Sequence, residues 1–152
     1  MENGGVEVAP TEELSKQLEE TIRRANTILF KRGRAILIDM EISALQFNAL
    51  LIIREFGPST MGDLSKHLFT ACSTATDLGD RMERAKLVER VRDEKDRRVV
   101  RMHLLPRGED VLNQVIAERQ SFLGEVLKDY TDKEYVELLR SLELLEHRME
   151  LK

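Results

Sequence analysis

Apolar residues recur every three or four positions over most of this chain, the spacing of amphipathic helices. Over 12–38, Leu14, Leu18, Ile22, Ala25, Ile28 and Leu29 share one face and predict a first helix. Ser43 and Gln46 have the spacing of a capping box, and Leu45, Ala49, Leu50 and Ile53 carry a second helix that Phe56-Gly57-Pro58 must end. Thr60 caps a short third helix over 61–68, with Met61, Leu64 and Leu68 on one side. A fourth helix over about 73–85 rests on Ala75, Leu78 and Met82. Two short helices joined this tightly form a helix-turn-helix unit.

Past Leu87 the period changes to two. Val88, Arg90 and Arg92 alternate with Glu89 and Val91, and a second arm follows over 99–104. Between them Asp93-Glu94-Lys95-Asp96 predicts a four-residue hairpin tip. Pro106 then opens a long helix at its first turn, with a broad apolar stripe that includes Val111, Leu112, Val115, Phe122 and Val126. Thr131 and Glu134 form another capping box, starting a last helix with Tyr135, Leu138, Leu139, Leu142, Leu145 and Met149. The fold class is therefore mainly α with a small β wing. It reads as a winged helix-turn-helix lobe over 43–105, flanked by terminal helices over 11–38 and 106–150.

A length of 152 residues suits one domain over 11–152 with a single core. Aromatics are only 5% with no Trp, so Leu, Ile, Val and Met must build that core. Cys72 is the one cysteine, which leaves no disulfide framework and points to a reducing cytoplasm. Residues 1–10 carry Glu2 and Glu7 where a signal peptide would be basic and apolar, and read as a disordered tail. No apolar run reaches the ~18 residues that span a bilayer, so no membrane partner is expected. His67, His103 and His147 lie apart without ligand spacing, so neither metal nor other cofactor is expected. A nucleophile elbow, a P-loop, a Gly-rich dinucleotide turn and a His-Glu-x-x-His helix are all missing, and no enzyme is expected.

The net charge of −4 argues at first against nucleic acid, but its distribution matters more. Over 88–101, Arg90, Arg92, Lys95, Arg97, Arg98 and Arg101 face Glu89, Asp93, Glu94 and Asp96. An acidic body with a basic middle confines phosphate contacts to one region.

The order helix, helix, helix-turn-helix, basic hairpin, two long helices resembles the MarR (multiple antibiotic resistance regulator) family. ISALQFNALLIIREFGPSTMGDLSKHL looks like that family's second and third helices, and CSTATDLGDRMERAKLVERVRDEKDRRVVRMHLLPRGEDVL like its recognition helix, wing and following helix. Asp96-Arg97-Arg98 matches the family's Asp-x-Arg signature at the wing. Three positions depart. Lys86 stands where Gly is usual, at a left-handed helix exit, at a cost of ~1 kcal/mol or of a different exit. Leu104-Leu105 replaces Leu-Thr and loses a hydroxyl cap worth ~1 kcal/mol. Asp77 stands where a basic or small polar residue is usual.

The resemblance implies a sequence-specific regulator of transcription that binds double-stranded DNA. Ser73, Thr74, Thr76, Asp77 and Arg81 are then expected in the major groove, with Thr60 beside them at the start of the third helix. Hydroxyls and free N–H groups can hold phosphate, and Asp77 would repel phosphates yet could accept from a cytosine amino group. Lys95, Arg97 and Arg98 suit a minor groove, while Asp96 is expected to orient an Arg, either Arg81 or Arg98. Gly79 in mid-helix implies a close neighbour, DNA or protein. The terminal stripes are too wide for one small core to cover, so Leu14, Leu18, Leu138, Leu142 and Leu145 are expected in a homodimer interface. A palindromic operator would follow. The family further implies a repressor released by a small aromatic or lipophilic effector bound between dimer helices and DNA-binding lobes.

Two other readings stay open at this level. A winged-helix interaction module could bind an acidic protein partner through the basic hairpin. A redox-responsive regulator could act through Cys72, because a helix N-terminus lowers a thiol pKa. The family's peroxide-sensing branch keeps its reactive Cys in the first helix, where this chain has none. Cys72 is therefore expected to be a small, partly buried filler.

Overall fold

The computed structural model describes residues 11–152; the tail expected over 1–10 lies outside them. Seven helices and two strands follow one another: α1 Glu12–Lys31, α2 Arg34–Asp39, α3 Ala44–Phe56, α4 Met61–His67, α5 Cys72–Arg84, β1 Val88–Arg92, β2 Val100–Leu104, α6 Pro106–Leu127 and α7 Asp132–Glu150. The helix-turn-helix, the hairpin and both long C-terminal helices stand where the periodicity put them.

Local signals explain the starts. The Ser43–Gln46 and Thr131–Glu134 capping boxes are both closed in each direction, which satisfies donors the first turn would otherwise orphan. Thr60 makes a third such box with Asp63, a partner that the sequence pattern did not single out. Pro106 opens α6 without a side-chain cap at Leu105, as the missing hydroxyl implied.

The first helix is broken where one continuous helix over 12–38 was expected. Gly33 adopts a left-handed conformation at φ 81°, between α1 and α2. A Cβ at Gly33 would meet Val115 Cγ1 of α6 at 2.8 Å, so the chain turns where it passes closest to α6. Lys86 is also left-handed, at φ 58°. Its N–H donates to Glu83 and that of Leu87 to Met82, so the usual helix exit is kept and the ordinary side-chain penalty of ~1 kcal/mol is accepted.

The core lies where α3, α5, α6 and the hairpin meet. Phe47 and Leu50 of α3, Met82 of α5, Leu87 and Leu112 are fully buried. In contrast, α1 and α7 bury no residue at all.

β1 and β2 pair antiparallel with Val88 opposite Leu104 and Arg90 opposite Met102. Ser59 adds a bridge to Met102, anchoring the segment before α4 against the sheet. The hairpin tip spans 93–99, longer than the four residues expected. Asp93 causes this: its carboxylate accepts from the N–H groups of Lys95 and Asp96, and its own N–H donates to Val99. These bonds hold a compact turn in which ladder pairing resumes only at Val100.

Candidate nucleic-acid interface

Helix α5 buries Ala75, Leu78, Gly79 and Met82 against the core. At 100° per residue, the opposite face carries Ser73, Asp77, Asp80 and Arg84, with Thr74, Thr76 and Arg81 at its edges. Ser73, Thr74, Thr76, Asp77 and Arg81 are all exposed, as the periodicity required. Ala71 caps the helix with no side-chain bond, leaving first-turn N–H groups open at its positive end. Thr76 spends its hydroxyl proton on the Cys72 carbonyl at 2.9 Å, so its oxygen can only accept from elsewhere.

Thr60 is half-buried and committed to its own helix. Its hydroxyl donates to Asp63 at 2.7 Å and accepts from the Asp63 N–H at 3.1 Å. The Thr60 hydroxyl holds the Asp63 carboxyl below its ordinary range, with the Thr60 N–H, Arg101 and Lys66 adding to the effect.

Acidic partners divide the hairpin's cations into two sets. Arg90 donates to Asp80 at 2.5 Å and to Glu83 at 2.7 Å, joining β1 to α5. The Asp80 hydrogen bond is the main cause that raises the Arg90 guanidinium further above its ordinary value. Arg101 reaches Asp93 at 3.4 Å and Asp63 at 4.0 Å. Asp93 is itself held below its ordinary range, chiefly by the N–H groups of Lys95 and Asp96. Arg98 donates to Asp96 at 3.2 Å, so Asp96 meets Arg98 and not Arg81. The Arg98 side chain nevertheless stays 92% exposed. Arg92, Lys95 and Arg97 are exposed and form no ion pair among the described residues.

Cys72 corrects an expectation. It is exposed and not partly buried, because it occupies the first turn of α5 with its Sγ 3.6 Å from Ser65 Oγ. Arg84 and Arg92 were not among the residues anticipated for this face. A finer reading of α5 would have included Arg84, which lies eleven residues after Ser73 on the same side. The Arg90 clamp also went unanticipated, although strand alternation places Arg90 on the inner side with buried Val88, where a cation needs a partner.

Together α5, its open N-terminus and a cation-tipped hairpin make an extended polar surface on one lobe. That geometry suits a duplex, with a helix for the major groove and a wing for its neighbour. The MarR family model matches residues 42–100, which span α3 through the start of β2. The HTH-type transcriptional regulator YsmB of Bacillus subtilis is 44% identical over 135 residues, 89% of this chain and 92% of that protein. A MarR family protein from Bacillus stearothermophilus superposes with TM-score 0.82 at 44% identity, covering 93% of this chain and 99% of that one. The transcriptional regulator Tm0710 from Thermotoga maritima gives 0.75 at 31% identity, over 89% and 95%. This chain belongs to the MarR family: it is a winged-helix DNA-binding transcriptional regulator and not an enzyme.

Proposed function

We propose that the protein acts in the cytoplasm as a homodimeric repressor that holds a palindromic operator and releases it when a small aromatic or lipophilic effector binds. The observation that carries this reading is the bare apolar surface of α1 and α7. Leu14, Leu18, Leu138 and Leu142 are 38–53% exposed, and neither helix buries a residue. A cleft of about 550 Å³ lies between them, lined by Leu18, Ile22, Leu145 and Met149 among others. Apolar surface on that scale is expensive in water and suits a second copy of the same helices. In this division of labour the lobe over 43–105 reads DNA, while 11–38 and 106–150 join the copies.

Two recognition helices would then enter successive major grooves about 34–36 Å apart. Ser73, Thr74, Thr76, Asp77 and Arg81 read the groove, and Lys95, Arg97 and Arg98 reach its flanks. Thr60 acts by fixing the start of α4, and Asp96 by holding Arg98. For the effector, a cavity of about 370 Å³ opens where α1, α2 and α3 meet, lined by Phe30, Arg34, Leu37, Ile38 and Ile42. A ring seated there would bear on the junction of α1 and α2 with α3, and so couple the effector to the placement of the reading heads.

Fluorescence anisotropy with palindromic and scrambled duplexes across a salt series tests the DNA part, and light scattering tests the assembly. Leu142→Glu is expected to yield monomers that bind operator at least tenfold more weakly, since two linked half-sites become one. A wild type that is monomeric at micromolar concentration overturns the homodimer. Equal affinity for both duplexes overturns the sequence-specific operator.

A further inference from the structure

We propose that Asp77 is a specificity-determining residue, and that it commits each operator half-site to a cytosine beneath the first turns of α5. The inference rests on the operator reading above and names what that operator must contain.

Three carboxylates project from α5: Asp77 from its second turn, and Asp80 and Glu83 from its second half. Arg90 engages two of them, Asp80 at 2.5 Å and Glu83 at 2.7 Å. Asp77 is different. It is exposed, stands opposite the buried side of the helix, and takes no part in any ion pair or side-chain hydrogen bond of the described residues. Arg81, one turn further on, lines the same open polar cleft as Asp77 and Arg84 without pairing to Asp77.

A free carboxylate on a surface that approaches a polyanion is repelled unless it accepts a hydrogen bond there. The major groove presents only two donors, the amino groups of cytosine and adenine. Adenine sets its N7 acceptor beside the amino group, so a carboxylate meets repulsion along with attraction. Guanine and thymine present acceptors to it and are disfavoured outright. Cytosine offers the amino donor without an adjacent acceptor on the same base, and is the base a carboxylate suits. Arg81 is placed one turn away to donate to a neighbouring guanine or phosphate, which offsets the charge of Asp77. The arrangement excludes more than it attracts: a wrong base leaves Asp77 unpaired against phosphate, so discrimination comes largely from the sites it rejects.

The test is selection of duplexes from a random library with the full-length wild type, Asp77→Ala and Asp77→Asn, followed by anisotropy on single-base variants of the enriched site. Because Asp77 is exposed and unpaired, both variants are expected to fold as the wild type does. The wild type should enrich a cytosine at one fixed position in each half-site, and exchanging that C·G pair for T·A should weaken binding about tenfold. Asp77→Ala should bind both duplexes alike and bind scrambled DNA more tightly than the wild type, having lost a repulsive charge. Asp77→Asn should move the preference at that position from cytosine to adenine, whose N6 and N7 an amide matches in two bonds. If the wild type is selective but Asp77→Ala and Asp77→Asn enrich the same site unchanged, this inference alone is overturned. If the wild type enriches no site, the operator reading falls and takes the inference with it.

Discussion

Arg90 reaches Asp80 by passing directly over Gly79: a Cβ at Gly79 would lie 3.3 Å from the Arg90 Nη2 and 2.9 Å from the Met61 sulfur. The mid-helix glycine is thus explained by protein neighbours. It leaves the gap through which the wing's first strand is tied to the recognition helix. Gly there costs ~1 kcal/mol of helix propensity relative to Ala, and the clamp with its two charge-assisted bonds offsets that cost.

Removing the clamp should harm function more than folding. Arg90→Ala is expected to lower stability by only ~1–2 kcal/mol, since both acidic partners are substantially solvent-exposed. It would also leave Asp80 and Glu83 unneutralised, with only the residue 90 backbone N–H on Glu83 to join β1 to α5. Operator affinity should therefore fall by a larger factor than the shift in urea midpoint accounts for. Arg90→Lys should recover stability in part but not the wing's register, because an ammonium lacks the rigid planar fork that sets one N–H group on each carboxylate. A loss of affinity no greater than the loss of stability would show that the clamp serves folding alone.

Asp63 makes stability depend on pH. Its carboxyl titrates below the ordinary value of 3.8 in the folded chain, chiefly through the Thr60 hydroxyl. The sign follows from linkage: a depressed folded value stabilises above the unfolded pKa, and that contribution disappears as pH falls through the folded value. Wild type should exceed Asp63→Ala in urea midpoint at neutral pH, with a gap that narrows below about pH 4 as the box protonates. A gap that stays constant down to pH 2 would mean the Thr60–Asp63 bonds contribute nothing specific to the charged form.

What was legible in the sequence is what depends on near neighbours. The Ser43 and Thr131 capping boxes need only a residue three places on, and the hairpin announced itself by its change of period. The break at Gly33 has a local signal, a Gly just after Lys31 and Arg32, but the close approach of Val115 that requires a Gly there lies far along the chain. The length of the wing tip turns on which way the Asp93 carboxylate points, which the Asp-Glu-Lys-Asp run leaves undecided. Among the site residues, the exposed face of α5 was readable from spacing. The sorting of hairpin arginines into bound and free was not, since Asp80, Glu83 and Asp63 lie in other elements. Cys72 was misplaced for a similar reason: whether a first-turn residue is covered depends on the α4–α5 turn above it.

The exposure of Cys72 makes its chemistry worth measuring. Its neighbour within reach is the Ser65 hydroxyl at 3.6 Å, and no second cysteine exists to form a disulfide within one chain. Cys72→Ser should therefore bind operator within about 0.5 kcal/mol of the wild type, the usual range for a surface exchange. Hydroperoxide should leave both bound. Release by peroxide in the wild type that is absent from Cys72→Ser would make this a redox-responsive regulator.

On the proposed reading, the wing should separate residues that read DNA from residues that only attract it. Arg98 is oriented by Asp96 yet is 92% exposed, so its guanidinium is held ready at the tip of the lobe. Narrow A·T-rich minor grooves concentrate negative potential and draw in such an arginine. Arg98→Ala should cost ~1–3 kcal/mol and flatten the preference for A·T-rich flanks. Asp96→Ala should cost less, because the guanidinium survives and only its orientation is lost. Arg97, exposed and free of ion pairs among the described residues, is the neighbour that could take over, and the Arg97→Ala, Arg98→Ala double variant tests this by its departure from additivity. Lys95 should behave otherwise. As a point charge on phosphate, its loss should weaken all duplexes alike and lower the slope of log affinity against log salt by about one. Anisotropy with A·T-flanked and G·C-flanked duplexes over a salt series distinguishes the two kinds of contact. An Arg98→Ala variant that keeps the full flank preference, with only a reduced salt slope, would reduce the wing to an electrostatic anchor.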